Sequence, residues 1–91
     1  MIYFRRVVGD SMEPTLRDGQ IVVVRHSRDS KVGDVVVAFM GGREVVKRLS
    51  KKRAGKVFLE GDNTDNSTDS HTHGWLIDTH VTGRVVFPRN L

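Results

Sequence analysis

The chain has 91 residues, 37% of them hydrophobic, with 15 Lys and Arg against 11 Asp and Glu, a net charge of +4. That length supports one modest core and excludes a second, so residues 1–91 are expected to form a single domain. The absence of cysteine excludes disulfides, thiolate nucleophiles and cysteine-ligated zinc. Residues 3–8 are the first predicted strand, and they lead directly into Gly9-Asp10-Ser11-Met12-Glu13-Pro14-Thr15-Leu16. Pro14 fixes its own φ and biases Glu13 away from the α-region, so the chain bends just after Ser11. Helical character is confined to residues 13–17, about one turn with the proline at its start. Residues 20–25, 34–39, 43–49 and 56–60 are further β-branched runs, separated by Asp18-Gly19, Gly33-Asp34, Gly41-Gly42 and Ala54-Gly55. Gly41-Gly42 between two valine-rich runs marks a tight hairpin. Residues 62–73 contain no apolar side chain and are expected as an exposed loop, whose Asn, Asp and Ser side chains can bond to backbone and hold a fixed shape. Residues 81–87 complete the set. The expected fold is mainly β: one small antiparallel domain with a single helical turn after Ser11.

Two features suggest chemistry rather than packing. Ser11 stands on the bend, beside Gly9, which lets the backbone approach another strand or a substrate. Lys47 sits in the run Arg43-Glu44-Val45-Val46-Lys47-Arg48-Leu49. Side chains alternate along a strand, so Lys47 shares a face with Val45 and Leu49, while Arg48 shares the other with Glu44 and Val46. Lys47 is thus the basic residue expected to be desolvated, and burial disfavours its charged form. A lysine can act as base toward a serine only when it is neutral.

These segments together resemble the signal peptidase I family. Ser11-Met12-Glu13-Pro14-Thr15-Leu16 is similar to its nucleophile box, and residues 33–39 resemble its Gly-Asp-hydrophobic strand. Val46-Lys47-Arg48 matches the lysine box, residues 61–70 its Gly-Asp-Asn…Ser-x-Asp-Ser box, and Gly83-Arg84-Val85 its closing strand. The resemblance implies a serine endopeptidase with Ser11 as nucleophile, Lys47 as general base and Ser67 orienting the lysine. Asp62, Asn63, Asp69 and Ser70 would brace the loop that carries Ser67. Val7, Val8, Gly9, Met12, Leu16, Val45 and Val46 fall where the family binds small substrate side chains. A protein or peptide substrate would lie extended along strand edges, and the Ser11 N–H would donate into an oxyanion hole. No cofactor is implied.

Only 13 residues separate Lys47 from Gly61, where bacterial signal peptidases carry a large inserted domain. No run approaches the roughly 18 apolar residues of a membrane helix, and an apolar secretory segment is absent. The expectation is therefore a soluble, cytoplasmic protein without a membrane anchor. It resembles the short maturation proteases that remove an N-terminal leader from nickel-type superoxide dismutase. Where the family has an arginine after Asp-Ser, this chain has His71, expected to replace its ion pair to Asp69 when protonated. His71-x-His73 would face one side of an extended segment, but without a third ligand nearby no metal site is expected. Two alternatives use other features. Gly-Asp-Ser-Met is also shared with self-cleaving repressors of the SOS and phage type, which would make the chain an autoprotease fragment. The cations of residues 47–56 could instead serve a non-catalytic nucleic-acid module, but no aromatic residues interleave them for base stacking, so a solvated hairpin is expected there.

Overall fold

Valine-rich runs with period-2 burial form a seven-stranded sheet in this computed structural model, which describes residues 1–65 and 69–91. The strands are β1 (Ile2–Arg6), β2 (Ile21–His26), β3 (Val35–Met40), β4 (Arg43–Arg53), β5 (Lys56–Glu60), β6 (Leu76–Ile77) and β7 (Val81–Phe87). Their order in the sheet is β1-β2-β7-β3-β4-β5-β6, and each neighbouring pair is antiparallel. The mainly β, antiparallel expectation therefore holds. The last strand lies between β2 and β3, so the sheet closes through pairings far apart in sequence.

β3 explains why the core has two parts. Val35 and Val37 enter one cluster with Val7, Met12, Leu16, Val22, Val24 and Val85. Val36, Ala38 and Met40 enter a second with Leu49, Val57, Leu59 and Val81. Alternation sends successive residues to opposite faces, so this strand is buried on both sides, which its unbroken apolar run already implies. A register shift between Val37 and Ala38 in the β3–β7 pairing moves Val81 and Val85 onto different faces.

Both predicted hairpin turns form. Gly41 and Gly42 have φ of 60° and 77°, and Ala54 and Gly55 have φ of 46° and 78°, as two-residue turns with matching strand twist require. β4 runs on to Arg53, beyond the expected residue 49, because Lys51, Lys52 and Arg53 pair with Phe58, Val57 and Lys56. The side chains of Lys51, Lys52 and Arg53 stay exposed at this solvated hairpin, whereas Lys47 and Arg48 of the same basic run are buried and half-buried. The segment after Ser11 consists of successive turns with one helical-type bond, Leu16 N–H to the Met12 carbonyl at 2.9 Å.

Residues 69–73 depart from the exposed-loop expectation. A short helix, α1 (Ser70–His73), forms there, and Asp69 and Ser70 are buried. Asp69 caps it by accepting from the His71 N–H, which supplies a polar anchor where the sequence offers no apolar one. His71 and His73 therefore stand on a helical turn and not on an extended segment. Gly83 is dictated by proximity. A Cβ there would lie 2.5 Å from Val24 Cγ1, 2.6 Å from the Tyr3 hydroxyl and 3.1 Å from the Arg25 carbonyl.

Candidate active site

The turn that carries Ser11 is built by backbone bonds on both sides. Val7 N–H donates to the Gln20 carbonyl at 2.8 Å and Gly19 N–H to the Val7 carbonyl at 2.7 Å. Gly9, at φ +84°, donates its N–H to Asp18 Oδ1 at 2.8 Å. This positive φ is a conformation that glycine adopts without Cβ strain. Met12 and Leu16 pack beneath the turn, 1% and 0% exposed, and tie it to the first core cluster. They are not among the residues lining the cleft described below, and their large apolar side chains anchor the turn.

Lys47 occupies the face that strand alternation assigned to it. Its register partner is Val36 in β3, and its face-mates Val45 and Leu49 belong to the second core cluster. Only 4% of Lys47 is exposed. Burial lowers its pKa from the ordinary lysine value, the Asp69 carboxylate acts in the opposite sense, and Arg43 adds to the lowering.

Ser11 and Lys47, distant in sequence, line one cleft of about 450 Å3. Val7, Val8 and Gly9 stand with Ser11 on one side, and Val45 and Val46 with Lys47 on the other. Two open strand edges flank it. Among the described residues β1 ends the sheet and pairs with β2 alone, while β4 pairs with β5 only from Arg48 onward, so no described strand pairs with residues 43–46 on that side. Arg43 and Glu44, Arg5 and Arg6, and His73 complete much of the wall. His73 packs on Gly41, whose added Cβ would come within 2.8 Å of His73 Cε1.

The Gly61-Asp62-Asn63 segment fixes the two sides to each other. Asn63 N–H donates to the Ser11 carbonyl at 2.8 Å, and Asn63 Nδ2 to the Asp10 carbonyl at 3.1 Å. Asp62 accepts from the Thr15 hydroxyl on the serine turn. It also takes a two-pronged contact from Arg48, Nη2 to Oδ2 at 2.7 Å and Nε to Oδ1 at 3.2 Å. Arg48 in turn donates to the Gly33 and Leu91 carbonyls, each at 2.8 Å. Burial pushes the Asp62 carboxyl up, but the hydrogen bonds from Arg48 and Thr15 outweigh it and leave the pKa lowered. The nucleophile turn and the lysine strand are thus joined through one carboxylate.

Asp69 and Ser70 support the same segment from below. Asp69 Oδ2 accepts from Gly61 N–H at 3.1 Å and Oδ1 from His71 N–H at 2.9 Å, while Ser70 Oγ accepts from Leu59 N–H at 2.9 Å. The His71 ring does not turn to Asp69. Its Nε2 lies 2.8 Å from Glu60 Oε2, and the ring packs edge-on against Phe58. The helical turn makes this choice, because it spends the Asp69 carboxylate on backbone donors. Ser67, expected to orient Lys47, lies outside the described residues.

Of the residues singled out from sequence, Ser11, Lys47, Val7, Val8, Gly9, Val45 and Val46 meet at the cleft, and Asp62, Asn63, Asp69 and Ser70 brace its surroundings. Sequence reasoning missed the roles of Thr15 and Arg48, both inside the boxes it quoted, and of Arg5, Arg43, Glu44 and His73. No group of three or more His, Cys, Asp or Glu among the described residues could hold a metal ion. No helix among them is long and apolar enough to cross a membrane.

A serine on a braced turn and a buried lysine thus share one cleft in a small β fold. The chain belongs to the Peptidase S24-like family, which it matches over residues 1–86. The signal peptidase I family, whose boxes the sequence resembles, is related to it but is not the family matched. The chain is 33% identical over 85 residues to a LexA repressor of Cereibacter sphaeroides, covering 92% of this chain and 36% of that protein. It is 32% identical over 106 residues to mitochondrial inner membrane protease subunit 1 of Mus musculus, covering 87% of this chain and 64% of that one. LexA repressor 1 of Nocardia farcinica is 41% identical over 63 residues, 68% of this chain and 29% of that protein. The chain thus spans about a third of the repressors it matches and under two thirds of the protease.

Proposed function

We propose that this domain is a serine endopeptidase in which Ser11 and Lys47 form a catalytic dyad. Neutral Lys47 Nζ takes the Ser11 hydroxyl proton as Oγ attacks the scissile carbonyl. The tetrahedral oxyanion is held by backbone N–H donors that include Ser11's own. Collapse expels the amine with the proton returned from Lys47 and leaves an acyl ester, which water hydrolyses with Lys47 again as base. The observation that carries this reading is the buried lysine, its pKa lowered, on the same cleft as a serine held on a braced turn. An extended peptide fits between the open edges of β1 and residues 43–46, with main-chain bonds for affinity and Val7, Val8, Val45 and Val46 for selection of small side chains. Ser67 is proposed to orient Lys47.

The proposed reaction is removal of an N-terminal leader from a separate protein. The family match lends a nickel-type superoxide dismutase substrate no support, so that part of the reading rests on the resemblance of the boxes alone. A second reading, cleavage of the chain's own longer form, is favoured by the S24-like match and its repressor relatives. Incubation of the chain with a peptide mixture, read by mass spectrometry, tests the dyad. Cleavage should vanish in Ser11→Ala and in Lys47→Ala, a loss of at least about a thousandfold for either group of a unit that acts together. Turnover surviving in either variant would sink the assignment. Dependence of rate on enzyme concentration separates the two readings, because self-cleavage within one chain is independent of it.

A further inference from the structure

Strand parity sorts the charges of Arg5, Arg6, Arg43 and Glu44 on the cleft wall into two sets. Arg5 is the register partner of core residue Val22 and lies over the Tyr3 ring, so it occupies the first-cluster face of β1. Glu44 shares its face of β4 with Val46, which packs against that same cluster. The two meet across the cleft, Arg5 Nε to Glu44 Oε1 at 2.6 Å. On the opposite face the corresponding residues are Arg6, partner of Ile21, and Arg43, partner of Met40 in the second cluster. Both line the cleft. Among the described residues, neither is in ion-pair contact with a carboxylate. The other acid on the wall, Asp10, neighbours Ser11 in sequence. Among the described residues, one face of the cleft is therefore charge-matched and the other carries two guanidinium groups with no ion-paired carboxylate.

We infer that Arg6 and Arg43 select substrates bearing an aspartate or glutamate on the Lys47 face, about four residues from the scissile bond. The spacing follows from β4 itself. Arg43 and Lys47 are four residues apart on one face, roughly 13 Å of strand, and an extended peptide paired along that edge has the same rise. A peptide residue beside Lys47 is thus followed, two side chains along the same face, by one beside Arg43. Its carboxylate supplies the counter-charge that Glu44 gives Arg5. Guanidinium suits this role, since its planar fork matches a carboxylate.

This specificity rests on the peptidase reading, so the test separates binding from turnover. A fluorescein-labelled alanine-rich peptide and variants with glutamate at each position in turn are bound to the Ser11→Ala protein and followed by anisotropy at low salt. Affinity should peak about fivefold above the neutral peptide at one position about four residues from the bond, as expected for an exposed charge pair. The preference should disappear in Arg6→Gln plus Arg43→Gln. It should reverse toward a lysine peptide when Arg6 and Arg43 are both replaced by glutamate. Equal affinity along the whole glutamate scan, or a preference that survives loss of both arginines, would overturn the inference. If the preference holds but the unmodified protein cleaves none of these peptides, this site stands and the catalytic reading fails.

Discussion

Replacing Lys47 by methionine should abolish cleavage and at the same time stabilise the fold. Methionine keeps an unbranched stem between Val45 and Leu49, so the second core cluster stays filled. What disappears is an ammonium group on a residue only 4% exposed, further disfavoured by Arg43. One opposing loss is the favourable field of Asp69, whose carboxylate keeps the N–H groups of Gly61 and His71. Replacing a whole buried ion pair by packed apolar groups is often neutral or gains about 1–4 kcal/mol, whereas removing one partner alone leaves the other uncompensated. Because the lysine pKa stays lowered with Asp69 present, charge removal still favours the folded state, by no more than about 1 kcal/mol at neutral pH, or a Tm rise of at most about 4–8 °C in a domain of this size. The sign of the pH dependence is fixed. A lysine whose folded pKa is lowered releases its proton first in the folded state. The unfolded chain then binds more protons between that pKa and about 10.4, and stability rises with pH through this window. Urea unfolding followed by circular dichroism from about pH 6 to 10 should show that rise in the parent protein and a weaker one in Lys47→Met. The advantage of methionine should shrink toward the upper end. Parallel curves, or a methionine variant less stable by more than about 1 kcal/mol at neutral pH, would refute the buried-ammonium argument.

Asp62→Asn should destabilise the domain by about 2 kcal/mol, since it breaks a half-buried carboxylate–guanidinium contact and the Thr15 bond. The parent protein should lose that contribution as pH falls through the lowered Asp62 pKa, an acid-side slope that thermal melts of the variant should lack. Gly83→Ala should cost about 2–3 kcal/mol, because one of its three close contacts is the immovable Arg25 carbonyl; a chemical melt within about 0.5 kcal/mol of the parent would contradict the packing. Neutralising Lys51, Lys52 and Arg53 together should leave cleavage of a short neutral peptide within about twofold, as none of them lines the cleft. A larger fall in kcat/KM would place the hairpin in the site.

Much of the fold was legible because valine alternation and glycine turns are local signals. The six expected strands form, and Lys47 lies on the face that counting by twos predicts. The missing pieces depend on partners distant in sequence. α1 and β6 arise in a stretch with few apolar residues, where Asp69 and Ser70 fix the chain through backbone N–H groups instead of burying hydrocarbon. Arg48 could be assigned to the face away from Lys47, but nothing local says that its guanidinium reaches Asp62. Met12 and Leu16 look like pocket residues from their place beside the serine. Only the packing of the turn on β2, β3 and β7 makes them core.

The Asp62 junction makes the geometry of the site depend on one loop as well as on the sheet that anchors Met12, Leu16 and Lys47. Seven strands can remain paired while the few bonds from Asp62 and Asn63 open, and that local event should loosen the serine turn from the lysine strand at far less than the global free energy of unfolding. Heat and acid should therefore silence such a protein before they unfold it. Its working range is bounded by a staple of three polar side chains, Thr15, Asp62 and Arg48.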